Sequence, residues 1–147
     1  MPESTKQQNL TYSPRIKEVD GERYIWDNLR QKWLVLTPEE QVRQATIAML
    51  VSLGVPSLRI SQEYPVNVNG QNQRADIVGI DQQAKPYILV ECKAAEVVIN
   101  DDVSRQAMRY NMVVGARFLI LTNGRKLFAF EYANGQYRAL RSLQEML

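Results

Sequence analysis

Three adjoining stretches decide the fold: RADIVGI (residues 74–80), DQQAKP (81–86) and YILVECK (87–93). The first and third are short and rich in β-branched residues, and the turn residues of the second separate them. This pattern predicts two neighbouring antiparallel strands. We place the centre of the turn between Gln83 and Ala84, because only then do the apolar residues of both strands share a face.

In this register Asp76 lies opposite Glu91, Arg74 lies opposite Lys93, and these four side chains share one face. Facing Cβ atoms are roughly 4.5–5.5 Å apart, so two facing carboxylates repel unless a cation lies between them. The pattern therefore favours metal-assisted phosphodiester hydrolysis, and the alternative is a surface salt-bridge quartet. The opposite face carries a consistently apolar set of residues: Ala75, Ile77, Ile88, Val90 and Cys92.

An aspartate followed on the next strand by Glu-x-Lys resembles the PD-(D/E)XK nuclease superfamily. Asp76, Glu91 and Lys93 occupy the positions that match its metal-binding and catalytic residues. One position departs from the pattern, because Ala75 stands where the superfamily's name has proline.

Two further stretches extend the resemblance. Gln106 and Tyr110 match the superfamily's Gln-x-x-x-Tyr motif. Residues 37–132, including the Leu-Thr-Asn-Gly run at 121–124, are similar to the N-terminal nuclease domain of type I restriction enzyme restriction subunits. The resemblance implies a restriction-endonuclease-like α/β fold and a magnesium-dependent endodeoxyribonuclease, with manganese as a substitute metal.

The resemblance also implies a role for each residue. Asp76, Glu91 and the backbone carbonyl of Cys92 would hold the metal, because magnesium takes carboxylate and carbonyl oxygens. Lys93 would orient the attacking water or stabilise charge on the phosphoryl oxygens. Gln106 and Tyr110 lie one helical turn apart and would orient water or hold the phosphate backbone. The alternative is a Tyr packed on the sheet beside a solvated Gln.

Several further residues are candidates with two interpretations each. Glu40 is either a third metal ligand or only a helix cap. Arg43, one turn later, is a phosphate contact or a salt-bridge partner. Arg74 and Arg109 are candidate contacts to the DNA backbone, although scattered basic residues are more often simply solvated.

The pattern outside the hairpin predicts a division into an N-terminal extension, residues 1–36, and a nuclease-like domain, residues 37–147. The extension begins with a polar, loosely held segment, residues 1–12, and contains a β-hairpin from residues 23–27 and 32–36, in which Trp26 and Trp33 are predicted core or interface residues.

In the nuclease-like domain we expect the order helix, three strands, helix, two strands, in a mixed sheet flanked by helices. The expected elements are a helix over 38–53, an extended segment over 58–68 broken by Pro65, the two central strands, a helix from Asn100 to Gly115, strands over 117–121 and 126–132, and a terminal helix over 139–147.

Composition limits the remaining choices. The 147 residues contain 45% hydrophobic residues, no histidine and one cysteine, which makes a zinc site or an internal disulfide untenable. Cys92 is interpreted as a small buried residue rather than a reactive thiol. No membrane segment is expected, so we expect a cytoplasmic protein. The net charge of +2 neither requires nor excludes a polyanionic partner. The expected partners are DNA, with RNA less favoured, and motor, methylase or specificity proteins, and a homodimer is a further possibility. The other function left open is a nuclease-fold module that mainly binds nucleic acid or a partner protein.

Overall fold

The two strands around Asp76 lie inside a six-stranded sheet in the computed structural model, which describes residues 1–7 and 12–147. The elements in chain order are β1 (Ile16–Val19), β2 (Glu22–Asp27), β3 (Lys32–Val35), α1 (Pro38–Ser52), β4 (Ile60–Val68), β5 (Gln71–Ile80), β6 (Pro86–Cys92), α2 (Asp101–Val114), β7 (Phe118–Thr122), β8 (Leu127–Ala133) and β9 (Gln136–Ala139), with short 3-10 helices at Ser57–Arg59 and Leu143–Met146. The large sheet has the order β4-β5-β6-β7-β8-β9, and β1-β2-β3 form a separate sheet. The predicted fold class, a mixed sheet flanked by helices, is confirmed.

The register of β5 against β6 is the predicted one. Ile77 faces Val90 and Gly79 faces Ile88, as a turn centred between Gln83 and Ala84 requires. The paired ladder ends at Ile77 and Val90, one residue before Asp76 and Glu91. The two carboxylates therefore lie where the strands stop pairing.

The connection from β6 to β7 is a parallel crossover through α2, as predicted. Glu91 pairs with Leu121 in this parallel ladder, while the other neighbours in the sheet are antiparallel. Because α2 must return the chain to the same edge, it crosses the face of the sheet beside Glu91.

Both helices begin and end where local chemistry predicts. The Thr37 hydroxyl accepts from the Glu40 N–H at 3.0 Å, and the Asn100 side chain accepts from the Val103 N–H at 3.0 Å. Gly115 ends α2 in the left-handed conformation (φ 78°), which glycine adopts without steric cost.

The sheet separates two apolar layers. The layer on the α1 side includes the predicted set Ile77, Ile88, Val90 and Cys92, whereas Ala75 packs in the layer on the α2 side. The fully buried aliphatic side chains each contribute about 1.5–3 kcal/mol relative to exposure. This burial holds the parts of β5 and β6 that carry the two carboxylates at fixed positions.

Three expectations about the strands and the C-terminus are wrong. The segment around Pro65 is not broken: β4 runs through it, because an edge strand tolerates a residue without an N–H. Residues 136–139 form β9, so three strands follow α2 instead of two. The predicted terminal helix over 139–147 is reduced to the single 3-10 turn Leu143–Met146.

The N-terminal segment also differs from expectation. The hairpin of β2 and β3 is confirmed, but β1 pairs with β2 as a third strand. Residues 1–12 were predicted to be loosely held, but the first of them are attached: the buried Thr5 donates from its hydroxyl to the Leu140 carbonyl at 2.8 Å, and its N–H donates to the Leu127 carbonyl at 2.7 Å. Residues 8–11 of that segment lie outside the described residues. The predicted division at residue 36 stays a prediction. In the described parts of the chain no helix is long and apolar enough to cross a membrane.

Candidate active site

Asp76, in the middle of β5, and Glu91, near the end of β6, come together where the pairing of the two strands stops. The Asp76 carboxylate accepts from the Cys92 N–H at 2.8 Å, so the side chain of one strand bonds the backbone of the other just beyond their ladder. This hydrogen bond fixes Asp76 beside Glu91. The Cys92 side chain points into the opposite layer, where burial raises the pKa of its thiol, in agreement with the buried-residue interpretation.

The Glu91 carboxyl group lies in an environment that disfavours its charge. Its Oε1 atom is buried and has no hydrogen-bond partner among the described residues. Burial raises the pKa of Glu91 to about 9, with further contributions from the negative charge of Asp76 and a hydrogen bond to it, against which Lys93 acts weakly. A carboxyl group of this kind needs either a proton or a cation.

A cavity of about 320 Å³ opens beside Glu91 on the α2 side of the sheet. It is lined by Gln73, Arg74, Glu91, Lys93, Val103, Gln106, Ala107, Tyr110 and Leu121. The structure therefore brings Lys93, Gln106 and Tyr110 to the same cavity as Glu91. Gln73 was not predicted from the sequence, because a polar residue on an exposed strand end carries no distinguishing signal.

Tyr110, like Glu91, has a buried polar oxygen and a raised pKa. Its hydroxyl oxygen is buried without a partner among the described residues. Burial raises the pKa of Tyr110, and the negative charges of Glu91 and Asp76 raise it further. Two residues that line one cavity thus each keep a buried polar atom whose hydrogen-bonding capacity is unused.

The predicted basic residues are distributed differently. Arg74 lines the cavity mouth with an exposed side chain, whereas Arg109 is exposed on α2 and does not line the cavity. Arg43 is mostly buried and forms an ion pair with Glu40. The salt-bridge interpretation of Arg43 is therefore the one that the structure contains.

The Glu40 carboxylate does not take part in the helix cap. Only half of a capping box forms, because the carboxylate does not return to Thr37. It accepts instead from Arg43 Nε at 3.0 Å, from a second Arg43 nitrogen and from the Gln44 amide at 3.0 Å. A role for Glu40 as third metal ligand stays a prediction.

Glu40 belongs to a partly buried polar cluster that was not predicted from the sequence. We call this set the acidic network: Asp27, Arg30, Glu40, Arg43, Gln44, Gln62 and Glu63. Asp27 is 0% exposed and accepts from the Leu29 and Arg30 N–H groups and from the Gln62 amide. Burial would raise the pKa of Asp27, but hydrogen bonds from Arg30 and Gln62 outweigh it and lower the pKa.

The acidic network reaches the candidate site through Glu63. The ladder of β4 and β5 skips Glu63 and Asp76, which lie between the pairs Gln62–Ile77 and Tyr64–Ala75. Glu63 has a positive φ of 53°, unusual for a residue with a side chain, and its carboxylate is 2.8 Å from Arg30. The backbone is therefore distorted next to Asp76.

The carboxylates of Asp76 and Glu91 suit a hard cation that needs few protein ligands. Among the described residues no group of three or more His, Cys, Asp or Glu side chains is arranged to hold a metal ion. Magnesium often takes only one or two protein carboxylates and completes its shell with water and phosphate oxygens. The free Glu91 oxygen beside Asp76 fits that requirement.

Comparison with known proteins identifies the family. The model described as type I restriction enzyme R protein N terminus matches residues 38–143. This chain belongs to that family. The match includes every predicted site residue from Glu40 to Tyr110 and leaves out the first sheet, β1-β2-β3. No curated protein matches the chain.

One solved structure shares the fold. A fragment described as an HsdR subunit of a type I restriction enzyme from Vibrio vulnificus YJ016 has a TM-score of 0.57 at 22% identity, over 72% of this chain and 23% of that one. A protein described as a nuclease belonging to DUF820 from Anabaena variabilis ATCC 29413 has a TM-score of 0.47 at 11% identity, over 95% of this chain and 79% of that one. This chain thus spans about a quarter of the Vibrio fragment.

Proposed function

We propose that this member of the family is a metal-dependent nuclease domain that hydrolyses DNA phosphodiester bonds. The observation that carries the proposal is the buried, unpartnered Glu91 oxygen beside Asp76, at a cavity that Lys93 also lines. An uncompensated buried polar atom costs about 1–3 kcal/mol, so a fold keeps one where a ligand completes it.

Asp76, Glu91 and the backbone carbonyl of Cys92 would hold magnesium, or manganese in its place. When bound, the ion would polarise the scissile phosphate and lower the pKa of an attacking water. The Cys92 N–H holds the Asp76 carboxylate in position, and the parallel pairing of Glu91 with Leu121 holds the backbone of β6.

Lys93 supplies the positive charge of the site. It lines the same cavity as Glu91 and lies two residues further along the chain. A preorganised cation at this place would stabilise the negative charge that develops on the phosphoryl oxygens. The Tyr110 hydroxyl and the Gln106 amide would donate hydrogen bonds to the water or to a phosphate oxygen.

The wider setting is part of the same proposal. In a type I restriction assembly the domain would meet DNA together with motor, methylase and specificity partners, in the cytoplasm. Arg74 at the cavity mouth is the basic residue best placed to contact the DNA backbone, and Arg109 would contact it further out on α2. A homodimer would bring two sites to the two strands.

A second candidate is a nuclease-fold module that binds nucleic acid or a partner protein without cleaving. The observation that favours it is the engagement of Glu40 by Arg43 and Gln44, which leaves two carboxylates instead of three at the site. The two candidates differ in whether two carboxylates are enough.

The test is a cleavage assay on supercoiled plasmid, single-stranded DNA and RNA, each with magnesium, manganese or chelator. We expect nicking or cutting of DNA with either metal and none with chelator. Metal-dependent cleavage of RNA alone would show that the substrate is RNA and not DNA. Intact substrates in every tube, with DNA binding retained, would favour the binding module.

A further inference from the structure

The first sheet displays aromatic and basic side chains on one face. Lys17 pairs with Tyr24, and Trp26 pairs with Trp33. Cross-strand partners share a face, and so do residues two apart on one strand. We call the resulting set of Arg15, Lys17, Tyr24, Trp26 and Trp33 the aromatic face.

The opposite face of this sheet packs against the protein, whereas the Trp26 end of the aromatic face borders a groove: Arg15 and Trp26 line a cavity of about 420 Å³ beside Ile47 and Val51 of α1. Ile25 and Asp27, on the opposite side of β2, are both 0% exposed and face the rest of the molecule. The three aromatic rings of the aromatic face are partly exposed, and Arg15 and Lys17 are exposed. Both tryptophans of the chain lie here.

The cations alternate with the rings. The Arg15 guanidinium carbon is 5.1 Å from the Trp26 ring centroid and 5.3 Å from that of Trp33. The Lys17 Nζ is 4.4 Å from the Trp33 centroid and 5.9 Å from that of Tyr24. The Trp26 and Trp33 centroids are 5.1 Å apart in an edge-to-face arrangement.

These positive charges are not neutralised by nearby acids. Among the residues that the structure describes, neither Arg15 nor Lys17 forms a salt bridge. The acidic residue on the same face, Glu22, lies at the far end opposite Val19. The centre of the face therefore combines flat apolar rings with free positive charge.

A second aromatic pair in the chain lacks that combination. The rings of Tyr132 and Tyr137 have centroids 4.8 Å apart on β8 and β9. The neighbouring Arg117 and Arg138 are both bound to Glu131, at 2.7 and 2.9 Å. This pair is a matched control for the aromatic face.

We propose that the aromatic face binds single-stranded DNA, with unpaired bases stacked on the rings and phosphates bound by Arg15 and Lys17. Base stacking requires exposed rings, and binding of the phosphate backbone requires cations between those rings. The aromatic face has rings and cations in this arrangement. Duplex DNA hides its base faces and would use only the cations. The choice of DNA over RNA rests on the proposed function, but binding here needs neither metal nor cleavage.

The experiment titrates the full chain, in chelator, with an oligothymidylate of about 16 nucleotides and follows tryptophan fluorescence. Both tryptophans lie on the aromatic face, so we expect saturable quenching. In fluorescence anisotropy with the labelled oligonucleotide, Trp33→Ala should weaken binding about tenfold or more. The exposed change Lys17→Gln, which does not threaten the fold, should make the log–log salt slope shallower by about 0.7.

The control variant Tyr132→Ala should bind like the parent. The proposal would be overturned by absent quenching, by equal affinity for a duplex of the same length, or by equal quenching with polyglutamate. Tighter binding of an RNA oligonucleotide would overturn the choice of DNA. Because the titration contains no metal, a protein that binds but never cleaves would refute the nuclease proposal alone.

Discussion

Two groups of carboxylates lie on either side of β5, and their environments are opposite. Asp27 of the acidic network accepts hydrogen bonds from Arg30 and Gln62, and its pKa is lowered. Glu91 keeps a buried oxygen without a partner, and its pKa is raised to about 9. The first arrangement is complete within the described structure, and the second is completed only by a proton or a cation. Burial of an acid therefore marks a functional site only when its hydrogen-bonding capacity is left unused.

The largest expected effect separates the two groups by activity. Asp76→Ala and Glu91→Ala should each reduce metal-dependent DNA cleavage by more than about 10²–10³-fold, since each removes a metal ligand. Glu40→Gln should stay within about tenfold of the parent, because Glu40 is engaged by Arg43. Rates of plasmid nicking measure this. A Glu40→Gln loss as large as that of Glu91→Ala would instead make Glu40 a metal ligand.

Replacing Lys93 should reduce the cleavage rate without abolishing metal binding. Lys93→Ala should lower the cleavage rate by about 10²–10³-fold while the melting temperature still rises with magnesium. Lys85→Ala, at the other end of β6 and exposed, is the control and should cleave normally. Loss of the magnesium response in Lys93→Ala would mean that this residue shapes the metal site instead of the reacting charge.

The acidic network should matter for stability. Asp27→Ala leaves Arg30 without its buried partner and should lower the free energy of unfolding by about 3–5 kcal/mol. The exposed pair of Asp102 and Arg105 is the comparison, and Asp102→Ala should cost no more than about 1 kcal/mol. Urea unfolding of both variants measures this. Equal small losses would show that the acidic network contributes no more than a surface ion pair.

Metal should stabilise the site and leave the network unaffected. A cation that binds only the folded state adds about 2.7 kcal/mol at a concentration of 100 Kd, so magnesium should raise the parent's melting temperature above that in chelator. Glu91→Gln should be at least as stable as the parent in chelator and unresponsive to magnesium. A salt-bridge quartet predicts instead that Glu91→Gln is destabilised in both buffers. Identical melting of the parent in the two buffers would argue against a metal site.

The smallest expected effect, counted per pH unit, is on the pH dependence of stability in chelator, where Glu91 and Asp27 should act in opposite directions. Glu91 has a folded pKa of about 9, above its ordinary 4.5, so its contribution to stability is full below about 4.5 and is lost as pH rises toward 9. Asp27 has a lowered pKa, so its contribution is present above its ordinary value and is lost as pH falls. Each slope is at most about 1.4 kcal/mol per pH unit. In denaturant melts across pH, Glu91→Gln should lose the fall in stability between about pH 4.5 and 9, and Asp27→Ala should lose the fall in stability at acid pH. An unchanged fall between about pH 4.5 and 9 in Glu91→Gln would assign it to another group.

Features with a short-range cause could be predicted from the sequence. The register of β5 and β6 follows from period-2 alternation across one turn, which puts Asp76 beside Glu91. The limits of α1 and α2 follow from capping residues within one helical turn. The Gln106 and Tyr110 spacing places both residues on the helix face that lines the cavity.

Only the tertiary structure decided the rest, because it depends on partners far apart in the chain. Asp27 meets Gln62 across 35 positions, and Thr5 meets Leu140 across 135. Such pairings leave no local periodicity, so the acidic network and the attachment of the first residues were not visible in the sequence. The residues of the candidate site were set by local pattern, whereas the environment that leaves Glu91 without a partner was set by how the sheet and α2 pack around it.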